Sequence, residues 1–421
     1  MYKRQSLVFS ADIRDLDKGF KNIKGKLYGK GENINLELLS DFFPSLQVGI
    51  RKGISDFQVW GDFYTLKQST FVGRLGLHDL VYKDIEVPIK NAISNEEITF
   101  IDTNFRLKGD LEDWQLALND VSIKAASHEW PGKQYEISCV ECGEQNFTLT
   151  AALDYINTDQ LLSTLQHFPY IAERLNGVLE KIEIQGVLET SQLSAQFVEN
   201  QLTKYTYQSL LQKANISLPE QGLAITSIVG EVDGNHQRGK LNLVCDAMGV
   251  KIEKIFSQPL ENQNINGVIN WQHIDGNMLV AMQKLIVKSN EMTASLQGML
   301  QVIEKKPYVD VQVEIPYVKA ETIKQYLPYR KMKPKLSKWL SDSITAGTFT
   351  DGKILFHGNP KYFPFKNKPG RFEITANVEE GVLAYRPNWP IASNIIANFK
   401  IKNNYLEVNA SQGAILNSSI N

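Results

Sequence analysis

The sequence predicts a mainly β protein of antiparallel strands with short helical insertions. Short segments throughout the chain alternate apolar and polar side chains with a period of two, as strands that bury one face do. Polar turns with Gly, Asn or Asp separate these segments at short intervals, and such tight turns join antiparallel neighbours. Of the 421 residues, 43% are hydrophobic, which is enough to bury a large apolar surface.

The strand segments follow one another along the chain. Early ones contain FQVWGDFYTL and TFVGRLGLHDLVY, and the clearest is NFRLKGDLEDWQLALNDVSIKAA. Later ones include KIEIQGVLETSQLSAQFV, KLNLVCDAMGVKI, INGVINWQHIDGNMLVAMQKLIV and PYVDVQVEIP. The last three alternating segments lie within residues 372–378, 395–401 and 406–410. Together they predict a long antiparallel meander.

Two helical insertions interrupt the strands. Thr158 or Asp159 can cap the first. The second covers about residues 320–346, with Pro334 as the first residue of its last helix and Gly347 where that helix stops. A helical segment followed by strands therefore occurs twice. We predict three modules: residues 1–157, residues 158–318 and residues 319–421.

The apolar face of such a sheet must be covered, and two short helical segments cannot cover all of it. Either the sheet closes into a sandwich or barrel, or it stays open as a trough with an apolar interior. The alternation of side chains is compatible with both.

Catalytic and cofactor signatures are absent from the sequence. The six histidines are scattered, and no nucleophile elbow or complete phosphate-binding loop occurs. Cys139 and Cys142 form a single C-x-x-C without the further ligands that zinc needs, so a disulfide or two structural thiols remain open. We expect no enzyme activity, no cofactor, no metal and, at a net charge of −2, no nucleic-acid partner.

Basic residues cluster on the second helical insertion. A solvated face explains such a cluster, and a contact with anionic lipid headgroups or a membrane surface is the functional alternative. The residues we single out for headgroup or membrane contact are Arg330, Lys331 and Lys333.

The C-terminal hundred residues resemble the AsmA-like proteins of bacterial envelopes, most closely their YhdP-type branch. The resemblance rests on the order and spacing of several short motifs. They are Leu327-Pro328, Trp339-Leu340, Ala346-Gly347, Phe363-Pro364-Phe365, Leu383-Ala384-Tyr385, Trp389-Pro390 and Gly413.

This resemblance implies an elongated, curved β-groove that carries phospholipids between the inner and outer membranes of a diderm bacterium and supports outer-membrane lipid homeostasis. It implies a periplasmic segment of a longer protein, anchored to the inner membrane by an N-terminal helix outside this chain. The partners would be phospholipid acyl chains in the groove and the two membranes. The alternative is a closed β-sandwich array that scaffolds the envelope or binds glycans.

The in-phase apolar positions of the strands are the residues expected to line the groove. They are Phe105, Leu107, Trp114, Leu116, Leu118, Val121, Ile123, Leu193, Ala195, Phe197, Leu285, Val287, Val309, Val311, Val313, Phe372, Ile374, Ala376, Val378, Ile395, Ala397, Phe399, Ile401, Leu406 and Val408.

Overall fold

The structure is a computed structural model that describes most of the chain. The described residues are 5–14, 24–39, 49–64, 69–85, 88–89, 96–125, 128–131, 133–142, 145–169, 172–173, 176, 179, 182–199, 201–289, 291–367, 369–416 and 418–420. The chain divides into an N-terminal unit, residues 1–214, and a C-terminal unit, residues 215–421.

The N-terminal unit is an antiparallel meander. Its strands are β1 (Ser6–Arg14), β2 (Lys24–Asn35), β3 (Ile50–Phe63), β4 (Ser69–Tyr82), β5 (Ile98–Gly109), β6 (Trp114–Ala125), β7 (His128–Glu129), β8 (Lys133–Val140), β9 (Phe147–Asn157) and β10 (Glu183–Val198). Consecutive strands pair, except that β6 pairs with β8 as well as with the short β7. Strand β11 (Gln201–Leu218) includes the division between the units. Two helices, α1 (Leu36–Leu39) and α2 (Thr158–Leu165), interrupt the meander.

The C-terminal unit repeats this organisation. Its strands are β12 (Leu223–Asn235), β13 (Arg238–Ile252), β14 (Leu260–Ile274), β15 (Asn277–Lys288), β16 (Met292–Ile303), β17 (Lys306–Lys319), β18 (Ile344–Gly358), β19 (Gly370–Leu383), β20 (Ala392–Lys402), β21 (Tyr405–Ile415) and β22 (Ser418–Ile420). Each strand pairs antiparallel with the next. Between β17 and β18 lie α3 (Ala320–Ile323), two 3-10 turns and α4 (Pro334–Ser343).

Each unit is one open antiparallel sheet. Among the described residues, no pairing joins β1 to β10 or β12 to β22, so neither sheet closes into a barrel. The strands of a unit do not divide into two stacked sheets either, because the pairing runs from neighbour to neighbour. The predicted mainly β fold with short helical insertions is confirmed in its open form, and the closed sandwich is not what forms.

The helix ends differ in detail from the prediction. Asn157 caps α2, since its Oδ1 accepts a hydrogen bond from the backbone N–H of Gln160 at 3.2 Å. Pro334 opens α4 as predicted, but α4 ends at Ser343. Gly347 lies inside β18 with a φ of 128°, and a Cβ there would come within 2.9 Å of the Cα of Gly381. Close approach of two strands, rather than the end of a helix, accounts for this glycine.

In the N-terminal unit, α2 covers one margin of the sheet. It follows β9 and turns back towards earlier strands, where Thr164 Oγ1 accepts a 2.8 Å hydrogen bond from the N–H of Ile98 on β5. Trp130 is 5% exposed and donates its indole N–H to Gln160 Oε1 of α2 at 2.5 Å. Ala125 and Trp130 belong to one buried cluster, which lies beneath this helix. We call the strand ends that lie against helical segments the helical margin.

In the C-terminal unit, the segment after β17 covers the corresponding margin. Tyr326 Oη donates a 2.8 Å hydrogen bond to Gln263 Oε1 on β14. The N–H of Arg330 donates to the carbonyl of Ile255, in the connection between β13 and β14. Val318 is 1% exposed within the buried cluster at this helical margin. Each unit therefore closes its apolar face at one margin with a helical segment.

Replacing Trp130 with alanine is expected to lower the free energy of unfolding by about 3–5 kcal/mol, because it opens a cavity and leaves the buried amide of Gln160 without its donor. Trp60 is the control, because it is 47% exposed and its replacement should cost less than about 1 kcal/mol. Urea unfolding followed by circular dichroism measures both variants. An equal decrease in the free energy of unfolding in both variants would show that Trp130 does not stabilise the helical margin.

Stability of the N-terminal unit should fall at alkaline pH. Burial raises the pKa of Tyr82, whose Oη donates a 2.6 Å hydrogen bond to the carbonyl of Ile98. The neutral phenol is favoured in the fold, so its contribution is complete below the unfolded pKa of about 10 and is lost as pH rises above it. We expect the urea midpoint to drop between pH 8 and pH 10.5, and to drop less in Tyr82→Phe. If the urea midpoint of Tyr82→Phe fell with pH as steeply as that of the wild type, Tyr82 would be ruled out as a cause.

Candidate functional site: the apolar face of each sheet

Residues directly opposite each other on paired strands project to the same face of a sheet, so the register identifies each face. In the N-terminal unit one face is apolar from strand to strand. A representative row consists of Ala11, Leu27, Gly61, Phe71, Leu107, Leu116, Ile137, Ala151 and Leu193. Every position in this row is apolar or glycine across nine strands.

The predicted groove residues of this unit share that face. Phe105 pairs with Leu118, and Trp114 lies opposite Gly109 and Cys139. On β10, Leu193, Ala195 and Phe197 pair with Ala151, Leu149 and Phe147. Val121 and Ile123 follow a β-bulge and are only 2% and 9% exposed, since Trp130 and α2 cover them. These two belong to the closed part of the face.

The predicted residues of the C-terminal unit also share one face. One row consists of Gly230, Leu243, Gly267, Leu285, Leu296, Val313, Ile354, Ile374, Ile401 and Leu406. Parallel to it run Val311, Phe356 and Phe372, then Ala376, Phe399 and Val408, then Val378, Ala397 and Ala410. Val287 pairs with Ile265, Val309 with Leu300, and Ile395 with Gly381. Ala376 and Ala397 are buried, at 8% and 7% exposed.

Away from the helical margins, the apolar face remains partly open to solvent. Phe105, Leu107 and Leu116 are half-buried. Leu193 is 43% exposed, and Leu406 is 57% exposed. Contiguous apolar surface left open in this way normally marks a site that binds another apolar molecule.

The opposite face of each sheet is polar. In the N-terminal unit, Arg74 forms two hydrogen bonds to the carboxylate of Asp102, at 3.1 and 3.0 Å. In the C-terminal unit, Glu373 lies between Arg371 and Lys400, and these two cations hold its pKa below the usual range. The two faces differ sharply in polarity, so only one of them suits apolar ligands.

Aromatic rings lie over glycines on the apolar face of the N-terminal unit. Phe71 pairs with Gly61 and Phe105 with Gly73, and a Cβ on these glycines would approach the rings within 2.6 and 3.0 Å. The same arrangement recurs for Phe9 with Gly29, Phe57 with Gly31 and Phe63 with Gly25. The rings fill the space above each glycine. Sequence reasoning named Phe105 but missed the other four phenylalanines, although alternation along β1, β3 and β4 places them in phase.

The cysteines are resolved by the structure. Cys139 lies on the apolar face, and it is disulfide-bonded to Cys142 with a Cα–Cα distance of 5.8 Å. The two possibilities left open by the sequence thus reduce to a local disulfide. Cys245 is fully buried, as expected for a small apolar side chain.

The basic residues singled out from the sequence are exposed at the helical margin of the C-terminal unit. Arg330 is fixed by its Nε, which donates to the carbonyl of Phe256 at 3.2 Å. Lys331 and Lys333 are exposed. Their contact with headgroups or a membrane stays a prediction.

Within the residues that the structure describes, no three His, Cys, Asp or Glu side chains come together as metal ligands would. The helices in that part of the chain are all too short or too polar to cross a bilayer.

Open antiparallel sheets with one apolar and one polar face define a class of protein suited to holding extended apolar molecules. The chain belongs to the YhdP protein family, whose model matches residues 4–421. It is 21% identical over 294 residues to the intermembrane phospholipid transporter YhdP of Escherichia coli (strain K12). That match covers 67% of this chain and 23% of the relative, so the chain spans about a quarter of the relative's length. No solved structure matches the chain.

Proposed function

We propose that this chain carries phospholipids, with their acyl chains lying against the apolar face and their headgroups at the solvent edge. The observation that carries the proposal is the row of apolar residues across the strands of each unit. Away from the helical margin this row is partly exposed, and the opposite face of the sheet is polar. Membership of the YhdP family supports it.

The physical gain is large. Exposing an acyl chain of about 15 methylenes to water costs roughly 12 kcal/mol, at about 0.8 kcal/mol for each CH₂. An apolar face that lines the route removes most of this barrier. Interchangeable Ile, Val, Leu, Ala and Phe side chains give no deep specific pocket, so a lipid can move from row to row. The chain would work by physical transfer, with no catalytic step and no cofactor.

The cellular setting forms part of the proposal. The relative's name describes transport between membranes, which favours the periplasm of a diderm bacterium as the compartment and both membranes as lipid partners. Lipid transport there would support outer-membrane lipid homeostasis. The predicted division at residues 157 and 318 would make each helical segment the start of a transport module.

Lipid extraction tests the proposal. The chain is expressed in the periplasm of a diderm bacterium, purified in mild detergent and extracted for mass spectrometry. We expect bound phospholipid at a ratio far above that of a soluble β-sheet protein purified alongside. A ratio equal to that of the control protein would overturn the transport proposal.

A second candidate, glycan binding by an envelope scaffold, rests on one observation. Trp60 and Tyr28 lie 5.6 Å apart on the polar face, and Trp60 is 47% exposed, so the pair could stack on a sugar ring. Binding of envelope glycans that is lost in Trp60→Ala, in a chain free of phospholipid, would favour this candidate.

A further inference from the structure

Besides Arg330, Lys331 and Lys333, the helical margin of the C-terminal unit contains two segments that contact each other. One is α4, and the other is the connection between β19 and β20, residues 384–391. The N–H of Ala384 donates to the carbonyl of Ser343 at 2.8 Å. Trp339 Nε1 donates to the carbonyl of Tyr385 at 3.0 Å. These two bonds fix the connection against the helix.

The connection presents an arginine beside two neighbouring aromatic rings, whose centres lie 6.0 Å apart. The Arg386 guanidinium lies 5.6 Å from the ring centre of Tyr385 and 5.7 Å from that of Trp389. Tyr385 is 47% exposed and Trp389 is 58% exposed. Stacking of this kind restrains a planar guanidinium while its N–H groups stay available for hydrogen bonds.

No acidic group neutralises this arginine among the residues that the structure describes, since no carboxylate oxygen lies within ion-pair distance of it. The segment that includes α4, against which the connection packs, is also positively charged. Residues 322–341 contain no Asp or Glu, and their basic residues are Lys324, Arg330, Lys331, Lys333, Lys335 and Lys338. Of these, Lys338 is paired with Asp342, which lies just beyond that stretch. The margin therefore favours an anion.

The apolar face begins directly beside this arginine. Leu383 pairs with Ala392 at the ends of β19 and β20, and Ile391 next to them is 56% exposed. From there the face continues through Ile395 to the exposed Leu406 and Val408. An amphiphile with hydrocarbon on this face and an anionic group at its end would place that group at the margin.

We propose that Arg386, in cation–π contact with Tyr385 and Trp389, binds the phosphate of a phospholipid whose acyl chains lie on the apolar face of β19–β21. The proposal rests on the proposed transport function and adds a defined headgroup site to it. Arginine suits the task because its fork of N–H donors matches two phosphate oxygens at once. The aromatic rings would lie at the level of the glycerol backbone, where Trp and Tyr favour lipid interfaces.

The test compares two ligands that differ only in the headgroup. Dioctanoyl phosphatidylglycerol and dioctanoylglycerol each displace a fluorescent fatty acid from the full chain, and their dissociation constants are measured. The variants are Arg386→Gln, which removes the charge, and Arg386→Lys, which keeps the charge without the planar fork. Arg106→Gln is the matched control, since Arg106 is exposed on the polar face of β5.

We expect Arg386→Gln to weaken phosphatidylglycerol about tenfold, as loss of a charge-assisted contact does, with dioctanoylglycerol unchanged. Arg386→Lys should lie between that variant and the wild type, and Arg106→Gln should match the wild type. Equal weakening of both ligands, or no weakening of either, would overturn the headgroup site.

Two further outcomes separate this proposal from the one it rests on. A wild-type chain that binds neither ligand would refute the transport function itself. Competition by millimolar inorganic phosphate as effective as that by phosphatidylglycerol would show a free-phosphate site and overturn the assignment to a lipid.

Discussion

Replacing Leu116 with glutamate is expected to remove most of the phospholipid that copurifies with the chain. Leu116 lies between Leu107 and Ile137 in the apolar row of the N-terminal unit and is half-buried. A carboxylate there must lose water whenever an acyl chain covers it, at a cost of roughly 1–3 kcal/mol or more. That cost corresponds to about tenfold or more in local affinity. Mass spectrometry of extracted lipid measures the ratio of phospholipid to protein.

The neighbouring residue supplies the control. Gln115 is exposed on the opposite face of β6, where it pairs with Lys108 and Ser138. Gln115→Glu adds the same charge one residue away and should leave the lipid ratio unchanged. Circular dichroism should show the same strand content in both variants. Residue 116 is only half-buried, so a glutamate side chain there can turn its carboxylate towards solvent while the fold stays intact. Equal lipid in the two variants would count against the apolar face as the route.

The predictable part of the fold and the site depended on period-two patterns. Phe105, Leu107, Leu116 and Leu118 lie on one face because alternation along a strand leaves no other choice once one of them is placed. The residues along β17, β19, β20 and β21 follow for the same reason. The position of α2 was also predictable within a residue, since polar capping residues precede its apolar positions.

Other features depend on contacts between strands that a local pattern cannot show. The bulge that carries Val121 and Ile123 into the buried cluster depends on the pairing of β5 with β6. Gly347 resembled a helix stop, but the close approach of Gly381 is what requires it. The grouping of Arg386 with Tyr385 and Trp389 depends on the conformation of a single connection, which the alternation pattern does not describe. Glycines on the apolar face belong here too, because only the strand pairing shows which ring lies over each of them.

Gly73 provides the sharpest test of that class, and we expect Gly73→Ala to destabilise the N-terminal unit by roughly 2–4 kcal/mol. A Cβ at Gly73 would overlap the carbonyl oxygen of Gln58 and lie 3.0 Å from the Cα of Val59. Both are backbone atoms of β3, so the strand itself would have to move. The ring of Phe105, also 3.0 Å from that Cβ, would have to shift as well.

Gly76, three residues further along β4, separates this steric effect from the general effect of replacing a strand glycine. A Cβ at Gly76 would meet only Asp102 Oδ2 at 3.3 Å and more distant atoms. The end of a flexible side chain can shift, so Gly76→Ala should change stability by less than about 1 kcal/mol, and the lower entropy of the unfolded chain favours the alanine. Urea midpoints of the two variants give the difference. If Gly73→Ala proved as mild as Gly76→Ala, β3 and β4 could separate at little cost. The contact between the Phe105 ring and Gly73 would then contribute little to stability.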